Sequence, residues 1–393
     1  MTDLGFAAFD ADNHYYEAED AFTRHLDPKM AKRAMQWGEI AGKKRLLVAG
    51  QVNRFLPNPT FDPIARPGSL DAYFRGQAPA SDIRAAFGEL EPLASRPEYQ
   101  NRDARLKVMD GQGIEAMFMF PTLGVGMESV LEADTEAMCA AFRAFNRWLL
   151  DDWGLGSDGR ILTAAYLSLA DPEWAVEELD WALSEGVRLI NLRANSVYGV
   201  EGRRSLGHES HDAFWKKVND SGITVAFHSG DSGYGFMSDH WGLDSEFEAF
   251  RYDPLRSLLN MAPIADAMAS LIADKVLSKN PNIRIATIET GSSWVAPLFK
   301  RMKKAYSMHE HAFDEDPCET FARQIWVSPY YEDDLFELRD LIGADHMLFG
   351  SDYPHAEGLA DPCAFVHDLD GFSDDEIKLI MRENGLGLAK PAS

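Results

Sequence analysis

From Gly113 onward, short apolar runs alternate with stretches of helical periodicity, and this alternation constrains the fold more than any other feature of the chain. Runs at residues 116–120, 161–166, 188–192, 223–227, 283–288, 325–327 and 347–349 each have the length of a strand covered on both faces. A further run at 6–9 brings the number to eight, which closes an α/β barrel of the (β/α)8 or TIM type with inward side chains filling its centre. The intervening helices show in their caps. Asp171-Pro172-Glu173 supplies an N-cap, a first-turn proline and a first-turn acid, and Ser373-Asp-Asp-Glu376 reads as a capping box. Residues 263–276 predict another helix.

The whole of 1–393 reads as a single domain, with an insertion of about residues 18–105 between the first and second strands. That insertion is rich in proline and aromatic residues, and Ala49-Gly50 between residues 45–48 and 51–52 predicts an antiparallel hairpin. It is expected to form a lid or an interface. The connection at 231–280, with Trp241, is a candidate substrate wall because extended loops after barrel strands build active sites.

A formal charge of -25 excludes phosphate backbones and anionic lipid as natural partners, so neither nucleic acid nor a membrane is expected. No apolar run is long enough to span a bilayer, and the N-terminus lacks a signal-peptide pattern; a cytoplasmic location is the expectation. Cys139, Cys318 and Cys363 are scattered and odd in number, which predicts buried free thiols rather than disulfides or a thiolate zinc site. A homodimer is expected from the insertion and the tryptophan-rich helices.

The chemistry lies at the strand ends. Asp12 and His14 are two residues apart, so an extended backbone points both into the barrel; His228 closes the fifth strand and Asp352 the eighth. Barrel geometry brings these four to one mouth, where two imidazoles and two carboxylates would hold one divalent ion, Zn²⁺ or Mn²⁺ suiting mixed nitrogen and oxygen donors. Arg193, Trp241, Trp294, Tyr353 and His355 are placed near the same mouth. Arg193 either pairs with a substrate carboxylate or partners a neighbouring acid; Trp294 and His355 complete the candidate substrate-binding set.

In Asp10-Ala-Asp-Asn-His14, Gly113-Ile-Glu-Ala-Met-Phe-Met-Phe-Pro121, Asn146-Arg-Trp148, Ala226-Phe-His228, Gly350-Ser-Asp-Tyr-Pro-His355 and Glu383-Asn384, in that order, the chain resembles the amidohydrolase superfamily. The resemblance is to the amidohydrolase-related branch that includes aminocarboxymuconate-semialdehyde decarboxylase. It implies a metal at the barrel mouth, held by the first-strand pair, the fifth-strand histidine and the eighth-strand aspartate. Asp12-x-His14 departs from the His-x-His of most of the superfamily and is similar to the version in some of the decarboxylases, which favours a single metal. Asn191 stands where a bridging lysine would be expected, pointing the same way. Where many relatives carry a sixth-strand histidine, Ile288 leads into Glu289, which either replaces it in proton transfer or caps the helix beginning near Ser293.

The leading expectation is a metal-dependent hydrolase acting on a small organic substrate through metal-bound water, with Asp352 accepting the proton and Glu289 as a second catalytic candidate. The alternatives are a metal-dependent non-oxidative decarboxylase of a small cyclic or unsaturated acid, and a catalytically inactive ligand-binding barrel.

Overall fold

The structure is a computed structural model describing residues 1–56, 58–77, 83–199, 202–244, 253–259 and 261–390. Its centre is a run of parallel strands taken in chain order. Ala8–Tyr15 pairs with Ile114–Pro121, which pairs with Ile161–Thr163. Ala165–Tyr166 continues that strand to Leu189–Asn191, followed by Thr224–His228, Arg284–Ile288 and Ile325–Val327. Residues 347–353 lie between the last strand and the first. The Leu348 amide donates to Val327 O (2.9 Å), the Ala11 amide to Phe349 O and the Asp352 amide to Asp12 O (both 2.8 Å). Parallel bridges join Val327 to Met347 and Asn13 to Tyr353.

The strand expectations need adjustment mainly at their ends. The first strand runs to Tyr15, well past residues 6–9, although its sequence is polar. Asp10 explains why this is tolerated: it accepts from the Ser351 amide (3.0 Å) and hydroxyl (2.5 Å) and from Asn13 Nδ2 (2.9 Å). Burial still outweighs those bonds and pushes its carboxyl up to about 6. Gly350 permits the close approach of residues 347–353, since a Cβ there would meet Asp12 Cβ at 2.5 Å.

The strand expected at 161–166 is interrupted at Ala164, and Asn146 bridges the irregularity. Its side chain accepts from the Tyr166 amide (2.8 Å) and donates to Tyr166 O (2.9 Å) and to buried Glu178 (3.0 Å). Asn146 sits on Thr135–Trp153, a helix whose Phe142, Phe145, Trp148 and Leu149 are buried in the core. We expect Asn146→Ala to destabilise the protein by about 2–4 kcal/mol, because it strands buried polar groups; urea unfolding checks this.

Asp171 caps Pro172–Ser184 and Ser373 closes a capping box, both as expected. The helix expected at 263–276 ends at Ala273, and Lys275 turns left-handed (φ 65°) before Val276–Lys279. Between the first two barrel strands the hairpin at Lys43–Val48 and Gln51–Val52 gains a third antiparallel strand, Met35–Ile40, that its mixed polarity hid. All three cysteines are buried and free, in accord with the sequence. Among the described residues no helix is long and apolar enough to cross a membrane.

Candidate metal centre

Asp12 and His14 end the first strand, His228 ends Thr224–His228, and Glu289 follows Arg284–Ile288 directly. Their donor atoms all lie within 4.8 Å of one another. His228 Nε2 is 3.2 Å from His14 Nε2, 3.3 Å from Asp12 Oδ1 and 3.1 Å from Glu289 Oε2. His14 Nε2 is 3.3 Å from Asp12 Oδ1 and 3.7 Å from Glu289 Oε2. Asp352 Oδ1 approaches the same nitrogen to 3.3 Å and belongs to a second group with His14 and His355.

The hydrogen bonds behind the two imidazoles fix what their inner nitrogens present. His14 Nδ1 donates to Pro121 O (3.2 Å) and His228 Nδ1 to Ser229 O (2.6 Å), because a carbonyl can only accept. In their neutral form, rings held this way would turn both Nε2 lone pairs toward each other and toward carboxylate oxygens. Such a convergence of lone pairs calls for a cation. Among the described residues no lysine or arginine pairs with Asp12, Glu289 or Asp352. Donors at ~2.1 Å from one ion stand roughly 3.0–3.4 Å apart, close to the separations found here, so the set fits one divalent ion.

The electrostatics show the same demand for positive charge. Burial disfavours charge on His14, yet its contacts with Asp12 and Glu289 outweigh that and push it up to about 10, so without an ion the ring carries a proton whose place a bound cation would take. Burial likewise opposes ionisation of Asp12, but the His14 and His228 contacts hold it well below the usual carboxylate range.

Beside this centre, His355 Nδ1 lies 2.6 Å from Asp352 Oδ1, and its Nε2 lies 2.9 Å from the Thr122 hydroxyl. That hydroxyl donates to Tyr15 O (2.8 Å), so it accepts from His355 Nε2–H, and one proton is shared between His355 Nδ1 and Asp352 Oδ1. Burial and the charges of Glu289 and Glu357 raise the Asp352 carboxyl well above its usual value. Burial and the proximity of His14 lower His355 well below its own. A carboxyl and an imidazole sharing a proton form a local proton store.

Glu289 and Asp352 share another property. Their φ angles are 52° and 55°, a left-handed conformation that non-glycine residues adopt at a cost of roughly 1–3 kcal/mol. It turns each carboxylate inward from the end of its strand. Glu289 therefore does not cap the following helix, Val295–His309, whose N-cap is Trp294 without a side-chain bond.

Two large cavities reach the centre, with a smaller one of about 230 Å³ beside them at Asp12, Glu289, Asp352 and Glu357. One of about 550 Å³ is lined by His228, Glu289, Arg193, Trp294 and Tyr330 and by residues 259 and 261–265, which places part of the 231–280 connection in its wall. The other, of about 700 Å³, extends under the residues that follow the first strand.

Not every residue placed at the mouth by the sequence is there. Trp241 is 63% exposed and lines neither cavity. Tyr353 is buried below the site, its ring 5.1 Å from the Arg105 guanidinium. Arg105 is itself buried and donates to Asn13 Oδ1, His14 O (both 2.7 Å) and Glu98 O (2.8 Å), bracing the first strand from behind. Arg193 does line the first cavity; its Nη2 donates to Glu132 (2.8 Å), while its buried Nη1 has no partner among the described residues. The indole N–H of Trp294 is occupied by Gly291 O (2.9 Å). Thr122, Tyr330 and Glu357 were not singled out by the sequence; Thr122 and Glu357 flank recognised motifs and carry no spacing signal of their own.

Parallel strands that deliver imidazoles and carboxylates to one end define a class of enzyme scaffold. The chain belongs to the amidohydrolase family, whose model matches residues 10–386. It is similar, at 46% identity over 99% of each chain and a TM-score of 0.94, to an amidohydrolase from Mycobacterium avium subsp. paratuberculosis K-10. Its fold is also similar to a dihydroxybenzoic acid decarboxylase from Polaromonas sp. JS666 with bound manganese and 2-nitroresorcinol, at 17% identity, 98% and 97% coverage of the two chains and a TM-score of 0.58. A 5-carboxyvanillate decarboxylase from Novosphingobium aromaticivorans DSM 12444, complexed with manganese, stands at 17% identity, the same coverage and a TM-score of 0.56. These relatives imply a TIM barrel. Among curated proteins nothing matches the sequence.

Proposed function

We propose that the protein is a metal-dependent hydrolase of a small organic substrate, with one divalent ion held by Asp12, His14, His228 and Glu289 and with Asp352 and His355 managing the proton. The observation that carries this reading is the inward convergence of two Nε2 lone pairs and the carboxylates, with an acid–imidazole pair beside them. On this reading residues 347–349 are the eighth strand of a closed barrel, and residues 18–105 are its insertion.

When bound, the ion would polarise a substrate oxygen and lower the pKa of a water toward ~7. As the proton shared between Asp352 and His355 moves onto His355 Nδ1, Asp352 takes the proton that water loses; His355, anchored on Thr122, orients the carboxyl and returns the shared proton once Asp352 has given up the other. Water's oxygen ends on the acyl carbon, the bond from that carbon to the leaving group breaks, and the proton held by Asp352 passes to the leaving group. Glu289 is turned into the donor set, a role different from the separate proton carrier many relatives place on the sixth strand.

Non-oxidative decarboxylation is the second reading, favoured by Asp12-x-His14 and by the raised carboxyl of Asp352, which shares a proton with His355 and suits its delivery to a carbanion. Manganese in the two decarboxylase relatives supports Mn²⁺ alongside Zn²⁺ as the ion.

Protein loaded with Mn²⁺ or Zn²⁺ should be assayed against esters, lactones, amides and aromatic or unsaturated carboxylic acids. Acid production from an ester, lactone or amide is the expected result. Release of CO₂ from an acid without hydrolysis would replace it with the second reading, and stoichiometric metal without either reaction would contradict both.

A further inference from the structure

The 700 Å³ cavity has two unlike ends. At its floor are His14, His228, Glu289 and His355, the groups of the candidate centre. Its outer walls come from the segment after the first strand, with Phe55, Phe61, Ile64, Phe87 and Leu90 opposite Val125. Phe61 is held rigidly by packing on Tyr16, ring centroids 4.7 Å apart. Phe55 lies against Gly126, where a Cβ would come within 2.4 Å of the ring. These side chains form a preshaped apolar wall above a reactive floor.

Charge sharpens the picture. Among the described residues no lysine or arginine lines this cavity, whereas Glu289 and Glu357 do. A free carboxylate on the part of the substrate in this cavity would face these acids with no lysine or arginine to pair it, at an electrostatic cost. The first cavity differs: Arg193 and Arg301 line it, and Arg193 gives Nη2 to Glu132 while its buried Nη1 has no partner among the described residues, so a carboxylate would be drawn there and not under Phe55 and Phe61.

Building on the hydrolase reading above, we infer that the substrate is an ester or lactone with a bulky, uncharged aromatic or branched aliphatic body, which occupies the cavity walled by Phe55, Phe61, Ile64, Phe87 and Leu90 while its carbonyl reaches the centre. Hydrolysis consumes one water: its oxygen joins the acyl carbon, the acyl C–O bond breaks, and the leaving oxygen is protonated. The aromatic acids that the low-identity decarboxylase relatives are named for would not suit this cavity.

The test uses the full chain loaded with Mn²⁺ and a homologous ester series from acetyl to phenylbutanoyl, each assayed beside an analogue carrying a free carboxylate at the far end. The expected result is that kcat/KM rises about fourfold per added methylene until the cavity is filled, and falls at least about tenfold when the carboxylate is added. Equal or faster turnover of the carboxylated analogues would overturn the inference and leave hydrolysis standing. Should no ester be hydrolysed, hydrolysis itself falls, and binding decides the cavity assignment. Calorimetry with neutral alkyl phenyl ketones and their carboxylated counterparts must then show tighter binding of the neutral compounds, and the reverse order would refute it. Leu90, 47% exposed at the rim, supplies an independent check. Leu90→Arg should narrow the preference for neutral over carboxylated compounds by about tenfold with metal content unchanged; an unaltered ratio would place the substrate elsewhere.

Discussion

Replacing His228 with alanine will strip the protein of its divalent ion. In the wild type about one equivalent per chain should survive dialysis; in His228→Ala we expect almost none, with kcat/KM reduced on the order of 10³-fold or more because water activation is lost. The reason is local. His228 Nε2 is the donor that lies within 3.3 Å of Asp12, His14 and Glu289 alike, so its removal opens the set at its middle. Its other nitrogen bonds only to the adjacent Ser229 carbonyl, so the fold should tolerate the change. Elemental analysis together with far-UV circular dichroism separates loss of metal from loss of structure. A variant that keeps its metal would move the ion away from these four residues.

Asp352→Asn should behave differently. The amide preserves shape and keeps a contact with His355 but cannot exchange the proton, so kcat should fall by about 10²–10⁴-fold while metal content stays near one equivalent. The distinction is informative because Asp352 Oδ1 is also only 3.3 Å from His14 Nε2. Metal loss in this variant would make Asp352 a required ligand, as the sequence alone suggested. His355→Ala, which leaves the carboxyl present but unoriented, should cost less, roughly tenfold in kcat.

Much of the site was legible because strands announce their ends. Asp12, His14, His228 and Asp352 each follow an apolar run, and the topology of parallel strands gathers such ends irrespective of their distance in sequence. Glu289 was ambiguous for a physical reason: a carboxylate between a strand and a helix satisfies a helix N-terminus as naturally as a cation, and only its φ of 52° decides the direction. Nothing in the letters encodes that sign. Arg193 posed the same kind of choice, and the structure splits it: Nη2 meets Glu132, a residue 61 positions away, and Nη1 is left without a partner among the described residues. Trp241 and Tyr353 were misplaced because a loop's path determines whether its side chains face the mouth, the core or solvent. Asn146 and Arg105 show the converse. Both sit in or beside recognisable motifs, yet their work is to satisfy backbone and side-chain groups around the strands, which becomes visible only when Tyr166, Asn13 and His14 are seen at their ends.

The proposed chemistry depends on a cation at the meeting point of the first, fifth and sixth strand ends. Anomalous scattering recorded on either side of the manganese and zinc absorption edges, from crystals of the metal-loaded protein, tests it most directly. The account expects one strong peak per chain, bounded by Asp12 Oδ1, His14 Nε2, His228 Nε2 and Glu289 Oε2. A fully ordered site with no peak there, or a peak coordinated by other residues, would contradict it.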